Sequence, residues 1–199
     1  MGIKSILKRL FLLKYRYGKH KLGYLGSNSS IPLNLTISGK YKNVEIGNNT
    51  SIGRGAVFMA SNARILISHN VVASHNLTII TGDHERRVGM FCNTITEAIK
   101  NHDIRLDKDV VIESDVWLGI NVTILKGVTI GRGTTVCAGA VVNKSMPPYC
   151  ICGGVPARFI KFYWSIDQIL EHERLVYPID KRLTEVQLKD LYRLYEKDC

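Results

Sequence analysis

With 199 residues, 45% hydrophobic and 22% charged, the chain can build one domain with a sizeable core, and it is too apolar for disorder to be the default. Its net charge of +10 is concentrated at one end: nine of the 27 Lys and Arg residues, and none of the 17 acids, precede Glu45. The remainder is close to neutral and carries no RNA- or DNA-binding motif, which argues against nucleic acid as a partner.

Residues 3 to 17 place Ile3, Ile6, Leu7, Leu10, Phe11 and Leu13 among Lys4, Lys8, Arg9, Lys14 and Arg16. Apolar residues at i, i+3, i+4 and i+7 predict an amphipathic helix, interrupted by charge too often to span a membrane or act as a signal peptide. It is expected to pack on the body or on a neighbouring subunit. The competing expectation is peripheral contact with an anionic membrane surface. Gly18 to Gly39, rich in Gly, Ser and Asn, reads as a lead-in loop, so 1–43 forms a first segment.

A period of six then takes over at Ile46, Ile52 and Phe58, slips by three, and resumes at Ile67, Ala73 and Ile79. It is strongest through Leu106, Ile112, Leu118, Ile124, Ile130, Val136 and Val142, accompanied in a second phase by Val110, Val116, Val122, Val128, Thr134 and Ala140. Six fits neither a helix nor a single amphipathic strand. It fits a coil of three short flat faces, about 18 residues to a turn, each face sending a large aliphatic side chain inward. The expected fold over 44–160 is therefore an all-β solenoid, a parallel β-helix. Asn48-Asn49 and Gly53-Arg54-Gly55 fall at corners that need positive φ.

The period fails over 85–103, after Thr81-Gly82-Asp83-His84, and a long polar excursion from a solenoid reads as a projecting, functional loop. Residues 161–199 change character again. Ser165-x-x-Gln168 and Thr184-x-x-Gln187 are capping boxes that predict two short helices, the second with a Leu188, Leu191, Tyr192 and Tyr195 stripe, covering the open end of the coil.

Cys92, Cys137, Cys150, Cys152 and Cys199 have the spacing of neither a disulfide framework nor a zinc site, and are expected to be reduced thiols. Asn-x-Ser/Thr triplets at Asn34, Asn49, Asn76 and Asn121 are expected by chance in Asn-rich turns. Cytoplasm is the simplest compartment, at the inner face of the membrane only if the N-terminal helix meets lipid.

Asp115-Val116-Trp117-Leu118-Gly119, Gly154-Val155-Pro156-Ala157-Arg158 and the Thr-Gly-Asp-His string at 81–84, set in these hexads, resemble the hexapeptide-repeat acyltransferases. The likeness covers roughly 44–175 and is nearest the branch acetylating sugar hydroxyls: galactoside, maltose and nodulation-factor acetyltransferases and those of capsule and lipopolysaccharide synthesis. It implies a left-handed coil, a homotrimer with active sites between subunits, acetyl-CoA as donor, a sugar or saccharide acceptor and no metal.

Acyl transfer from a thioester to a hydroxyl needs a base, an oxyanion donor and a bed for CoA. The resemblance places the base at His84, with His102, at the far end of the loop, as runner-up. It puts the oxyanion donor in the backbone at Gly119-Ile120. Ala138 and Gly139 would let the pantetheine lie close, Asn143-Lys144 occupies the family's Thr-Lys position, and Lys144 and Arg158 suit the CoA phosphates. Asp83 and Trp117 are weaker candidates for the acceptor pocket. The alternatives are N-acetylation of an amino sugar or other amine, and a non-catalytic scaffold. A zinc site using His69 and His75, as in carbonic anhydrases on this coil, lacks an evident third ligand.

Overall fold

The computed structural model describes residues 22–96, 98–100 and 106–195. The amphipathic helix expected at 3–17 lies outside them, as does His102.

The chain winds through three sheets, parallel throughout except for a closing hairpin. Tyr24–Leu25 (β1) and Thr36–Gly39 (β2) belong to the first coil. Val44–Ile46 (β3), Ser51–Ile52 (β4) and Val57–Ala60 (β5) form the second, and Ile65–Ile67 (β6), Val72–Ala73 (β7) and Thr78–Ile80 (β8) the third. After an interruption, Val110–Ile112 (β9), Trp117–Leu118 (β10) and Thr123–Ile124 (β11) make the fourth coil. Thr129–Ile130 (β12), Thr135–Val136 (β13) and Val141–Val142 (β14) make the fifth. Cys150–Gly154 (β15) and Ala157–Phe162 (β16) close the coil as an antiparallel hairpin. The first sheet runs β1-β3-β6-β9-β12, the second β16-β15-β13-β10-β7-β4, and the third β14-β11-β8-β5-β2.

Coiling thus starts at Tyr24, within the stretch that reads from sequence as a lead-in loop. Leu25 pairs with Ile46 and Ile37 with Phe58, the same 21-residue step that joins Ile46 to Ile67 and Phe58 to Ile79. Polar corners hide this repeat in the sequence. The later coils step by 18, as Leu118 to Val136 and Ile124 to Val142 show. The three extra residues of the early coils lie at the corner between the third and first sheets, where the period slips.

Alternation along a strand turns residues two apart to the same face, so each hexad buries a pair. Val110 with Ile112, Val116 with Leu118, Val122 with Ile124 and Val128 with Ile130 are at most 1% exposed. Each such aliphatic side chain contributes about 1.5–3 kcal/mol on burial. Leu106, in phase by sequence, is only half-buried and precedes the strands, because the coil resumes at Val110.

Corners are built by residues that tolerate positive φ. Asn28, Asn49, Asn70 and Asp115 stack between the first and second sheets, and Asn76 and Asn121 between the second and third. The Asn76 amide donates to the Asn121 Oδ1 at 2.9 Å. Asn is here for its backbone, since its short side chain makes the left-handed conformation accessible.

Both capping boxes form. Ser165 opens α1 (Ile166–Val176), and Thr184 exchanges hydrogen bonds with Gln187 at the start of α2 (Glu185–Tyr195). Ile169 and Leu188 bury against Tyr149. Glu173, 1% exposed, accepts from the Tyr149 hydroxyl at 2.7 Å and the Leu183 N–H at 3.2 Å, and faces Arg132 at 3.5 Å. Burial and this bond push the Tyr149 phenol above its usual range. Among the described residues no helix is long and apolar enough to cross a membrane.

Candidate active site

The third sheet has two flanking corners, and the candidate site residues divide between them. At the corner between the third and first sheets, the coil breaks off after Ile80 and returns at Val110. The break is clamped at its root. Thr81 is buried, its hydroxyl donating to the Met59 carbonyl at 2.9 Å. Gly82 bridges Asp107 in antiparallel fashion, Asp83 N–H donates to the Leu106 carbonyl at 3.2 Å, and Lys108 N–H to the Thr81 carbonyl at 2.8 Å. A Cβ at Gly82 would fall 1.9 Å from the Asp107 carboxylate, so a side chain there would push that carboxylate aside.

His84 is the next residue outward and is exposed to solvent. Asp83 does not orient it. Its carboxylate turns back to the coil and meets Lys126 Nζ at 2.5 Å. Glu85 pairs with Arg87, whose guanidinium also donates to the Ile99 carbonyl at 2.7 Å. Beyond the root, Val88 and Phe91 are exposed at 106% and 82%, while Cys92 and Ile95 are partly buried. Asn143 and Lys144 occupy this same corner on the fifth coil, both exposed. Among the described residues no acid pairs with Lys144.

The corner between the second and third sheets carries Gly119-Ile120, Ala138-Gly139 and, at the hairpin turn above, Gly154 and Arg158. The resemblance implies a backbone donor at Gly119-Ile120, and the coil distinguishes the two N–H groups. Gly119 N–H is committed to the Val136 carbonyl at 2.8 Å, a bond that holds the fourth coil to the fifth, so it is not a free donor. Ile120 N–H meets no acceptor among the described residues, and the side chain is 42% exposed. Ala138 and Gly139 are exposed directly beyond it, and a Cβ at Gly139 would meet nothing within 4 Å. Arg158 is exposed, donating to its neighbouring carbonyl at Ala157 at 2.8 Å. Trp117 points outward from the second sheet at 53% exposure, flanked in register by Val72 and Thr135.

His84 and Ile120 therefore do not meet within one chain. They flank the third sheet from opposite sides, separated by about 20 Å of extended chain, whereas a base acts within hydrogen-bond reach of the proton that it removes.

No group of three or more His, Cys, Asp or Glu among the described residues could hold a metal ion. His69 and His75 sit at different corners, each using Nδ1 to accept a backbone N–H at 2.9 Å, from Asn48 and Arg54. A cavity of about 350 Å³ opens at the first–second corner beside Glu113, Arg132, Tyr177 and Lys181, away from His84 and from the Ile120 edge. Burial, reinforced by Asp115, pushes the Tyr177 phenol up to about 12.

The bacterial transferase hexapeptide family (six repeats) matches residues 109–144. A hexapeptide-repeat-containing acetyltransferase from Vibrio cholerae O1 biovar eltor, solved with acetyl coenzyme A, is 30% identical, with TM-score 0.65 over 77% of this chain and 78% of its own. The chain belongs to the hexapeptide-repeat acetyltransferase family. A maltose O-acetyltransferase from Clostridium difficile 630 is 26% identical, with TM-score 0.57 over 81% of this chain and 84% of that one. The polySia-specific acetyltransferase NeuO is also 26% identical, with TM-score 0.58 over 88% of this chain and 73% of its own. Comparison with curated protein sequences finds no match. The parallel coils of this acetyltransferase, closed by one antiparallel hairpin, fit the family's left-handed β-helix.

Sequence reasoning missed Lys126, which reads as one more corner residue between Leu125 and Gly127. The register held the signal. Ile79 pairs with Ile124, and carrying that 45-residue step forward puts Lys126 against Thr81, at the root of the projecting segment.

Proposed function

We propose that this acyltransferase uses acetyl-CoA to acetylate a sugar hydroxyl, as a homotrimer whose active sites lie between subunits, in the synthesis of surface polysaccharide or glycolipid. The observation that carries the reading is the division of the site between two corners. His84 stands on one side of the third sheet and the Ile120–Ala138–Gly139 edge on the other, so a complete set forms when one chain's loop meets another chain's edge. The outer face of the third sheet suits such an interface, since Val57, Met59, Ile80, Leu125 and Val141 are all partly or fully exposed there. The acceptor class rests on the maltose and polysialic acid enzymes at 26% identity.

In this mechanism the edge receives the donor. The open backbone at Ala138 and Gly139 admits the pantetheine, and Arg158 on that edge with Lys144 from the opposing corner take up phosphates as charge-assisted pairs. Bound acetyl-CoA supplies the thioester carbon that the hydroxyl attacks. His84 removes the hydroxyl proton as the oxygen bonds to that carbon, because an imidazole titrates near neutral pH and can both take and return a proton. Ile120 N–H faces the charge that develops on the thioester oxygen; held by the coil, it needs no rearrangement to do so. As the carbon–sulfur bond breaks, the His84 imidazolium returns its proton to the departing thiolate.

The test is an acceptor panel of sugars and amino sugars, with acetyl-CoA as donor and release of free thiol as readout. Turnover on neutral sugar hydroxyls supports the reading. Turnover confined to amines would replace it with N-acetylation, and failure to bind acetyl-CoA would leave a non-catalytic scaffold.

A further inference from the structure

We infer that Lys126 is a positioning residue for acyl transfer: it clamps both ends of the projecting segment to the coil and so fixes the direction in which His84 is presented. The inference rests on the reading of His84 as base.

Lys126 Nζ sits 2.5 Å from Asp83 Oδ2 and donates to the Leu106 carbonyl at 3.0 Å. Asp83 is the last residue before His84, and Leu106 is where the segment comes back. One ammonium therefore bridges the outgoing and the returning strand. It does so from the fourth coil, whose own position is fixed by the Ile79–Ile124 pairing beneath and the Ile124–Val142 pairing above. The Lys126 side chain is 23% exposed and that of Asp83 57%, so solvent screens the charge and the pair acts mainly by fixing geometry.

The other root contacts hold the segment from different places. The Gly82–Asp107 bridge, the Asp83 N–H to Leu106 carbonyl bond and the Lys108 N–H to Thr81 carbonyl bond tie the two strands to each other. Asn62 Nδ2, from the coil below, donates to Asp107 Oδ2 at 3.3 Å and Thr81 is bonded to Met59, but neither contact reaches Asp83. Lys126 adds a hold from outside the two strands, one residue from His84. Lysine suits the task because its three donors can serve a carboxylate and a carbonyl at once. The consequence for chemistry is geometric: misplacing a reacting group by about 1 Å costs on the order of 10² in rate.

The test compares Lys126→Met, Lys126→Arg, Asp83→Asn and His84→Ala for thermal unfolding, acetyl-CoA affinity and steady-state kinetics. Lys126→Met is expected to lower kcat by roughly 10- to 100-fold, leaving the acetyl-CoA Kd within about twofold and the unfolding midpoint nearly unchanged. Lys126→Arg, which can still donate to both partners, restores most of the loss. Asp83→Asn reproduces part of it, and the Lys126→Met/Asp83→Asn double variant is no worse than Lys126→Met alone, the non-additivity of a shared contact. If Lys126→Met fails to fold, Asp83→Asn carries the same test without altering the coil. Unchanged kcat in Lys126→Met and Asp83→Asn, with His84→Ala inactive, overturns the positioning role and leaves the base in place. An active His84→Ala overturns the base itself.

Discussion

The two corners flanking the third sheet follow one hexad rule and end up with opposite properties. At the second–third corner the rule is kept strictly: Gly53-Arg54-Gly55, Ser74-His75-Asn76, Gly119-Ile120-Asn121 and Cys137-Ala138-Gly139 stack with no insertion. The result is a narrow edge of backbone, with Gly119 N–H holding the next coil and Ile120 N–H left over. At the third–first corner the rule is broken, by three residues in each early coil and by the whole stretch between Ile80 and Val110. That corner carries side chains with chemistry, namely His84, Asp83, Lys126 and Lys144. Regularity supplies fixed backbone dipoles, and interruption supplies a titratable group. In the proposed mechanism neither corner makes an active site by itself.

Breaking each corner separately tests this division. His84→Ala removes the proposed base from the interrupted corner. Turnover is expected to fall by about 10²- to 10⁴-fold with acetyl-CoA binding intact, read by single-turnover kinetics beside calorimetry. Ile120→Pro deletes the unclaimed N–H from the regular corner and is expected to cost kcat about 10²- to 10³-fold. Unaltered kcat in a folded Ile120→Pro enzyme would show that the oxyanion is held elsewhere.

A third change lies on neither corner and serves as a contrast. Glu173→Ala strips the buried acceptor from Tyr149 and Leu183, while Arg132 keeps the Lys181 carbonyl at 2.7 Å. It should lower stability by about 1–3 kcal/mol, measured by denaturant unfolding, while kcat at a temperature where the protein stays folded is little changed. The mildest change is Gly139→Ala. Its φ of +71 makes any side chain costly by about 1–2 kcal/mol, but the new Cβ meets nothing in its own chain. If the acetyl-CoA bed runs over Gly139, KM for acetyl-CoA rises about tenfold, some 1.4 kcal/mol of lost binding. A KM shift no larger than the stability change would move the bed off this residue.

The coil was legible because its signal is local and repeated. Ile112, Leu118, Ile124, Ile130, Val136 and Val142 report their own inward direction, and the capping boxes at Ser165 and Thr184 report their own helices. The first coil, from Tyr24, was hidden by its polar corners. The candidate site was legible only as identities. Nothing in the sequence separates Gly119 from Ile120 as a donor, because which N–H is engaged depends on the carbonyl of Val136, one coil away. Asp83, a neighbour of His84 in sequence, turns instead to Lys126, 43 positions later. Such pairings follow from the register between coils, which in turn depends on where the period slips.

The most direct test of the shared site is complementation between two inactive chains. His84→Ala retains the regular corner and lacks the base; Gly139→Trp retains the base and has its own edge blocked. Each is expected to be inactive alone. Mixed, unfolded and refolded together in equal amounts, they should regain about a quarter of wild-type activity, since random closed assemblies pair an intact loop with an intact edge at roughly one site in four. No recovery, from mixtures shown by native mass spectrometry to contain hybrid assemblies, would mean that His84 and its donor edge belong to the same chain, and would contradict a site shared between subunits.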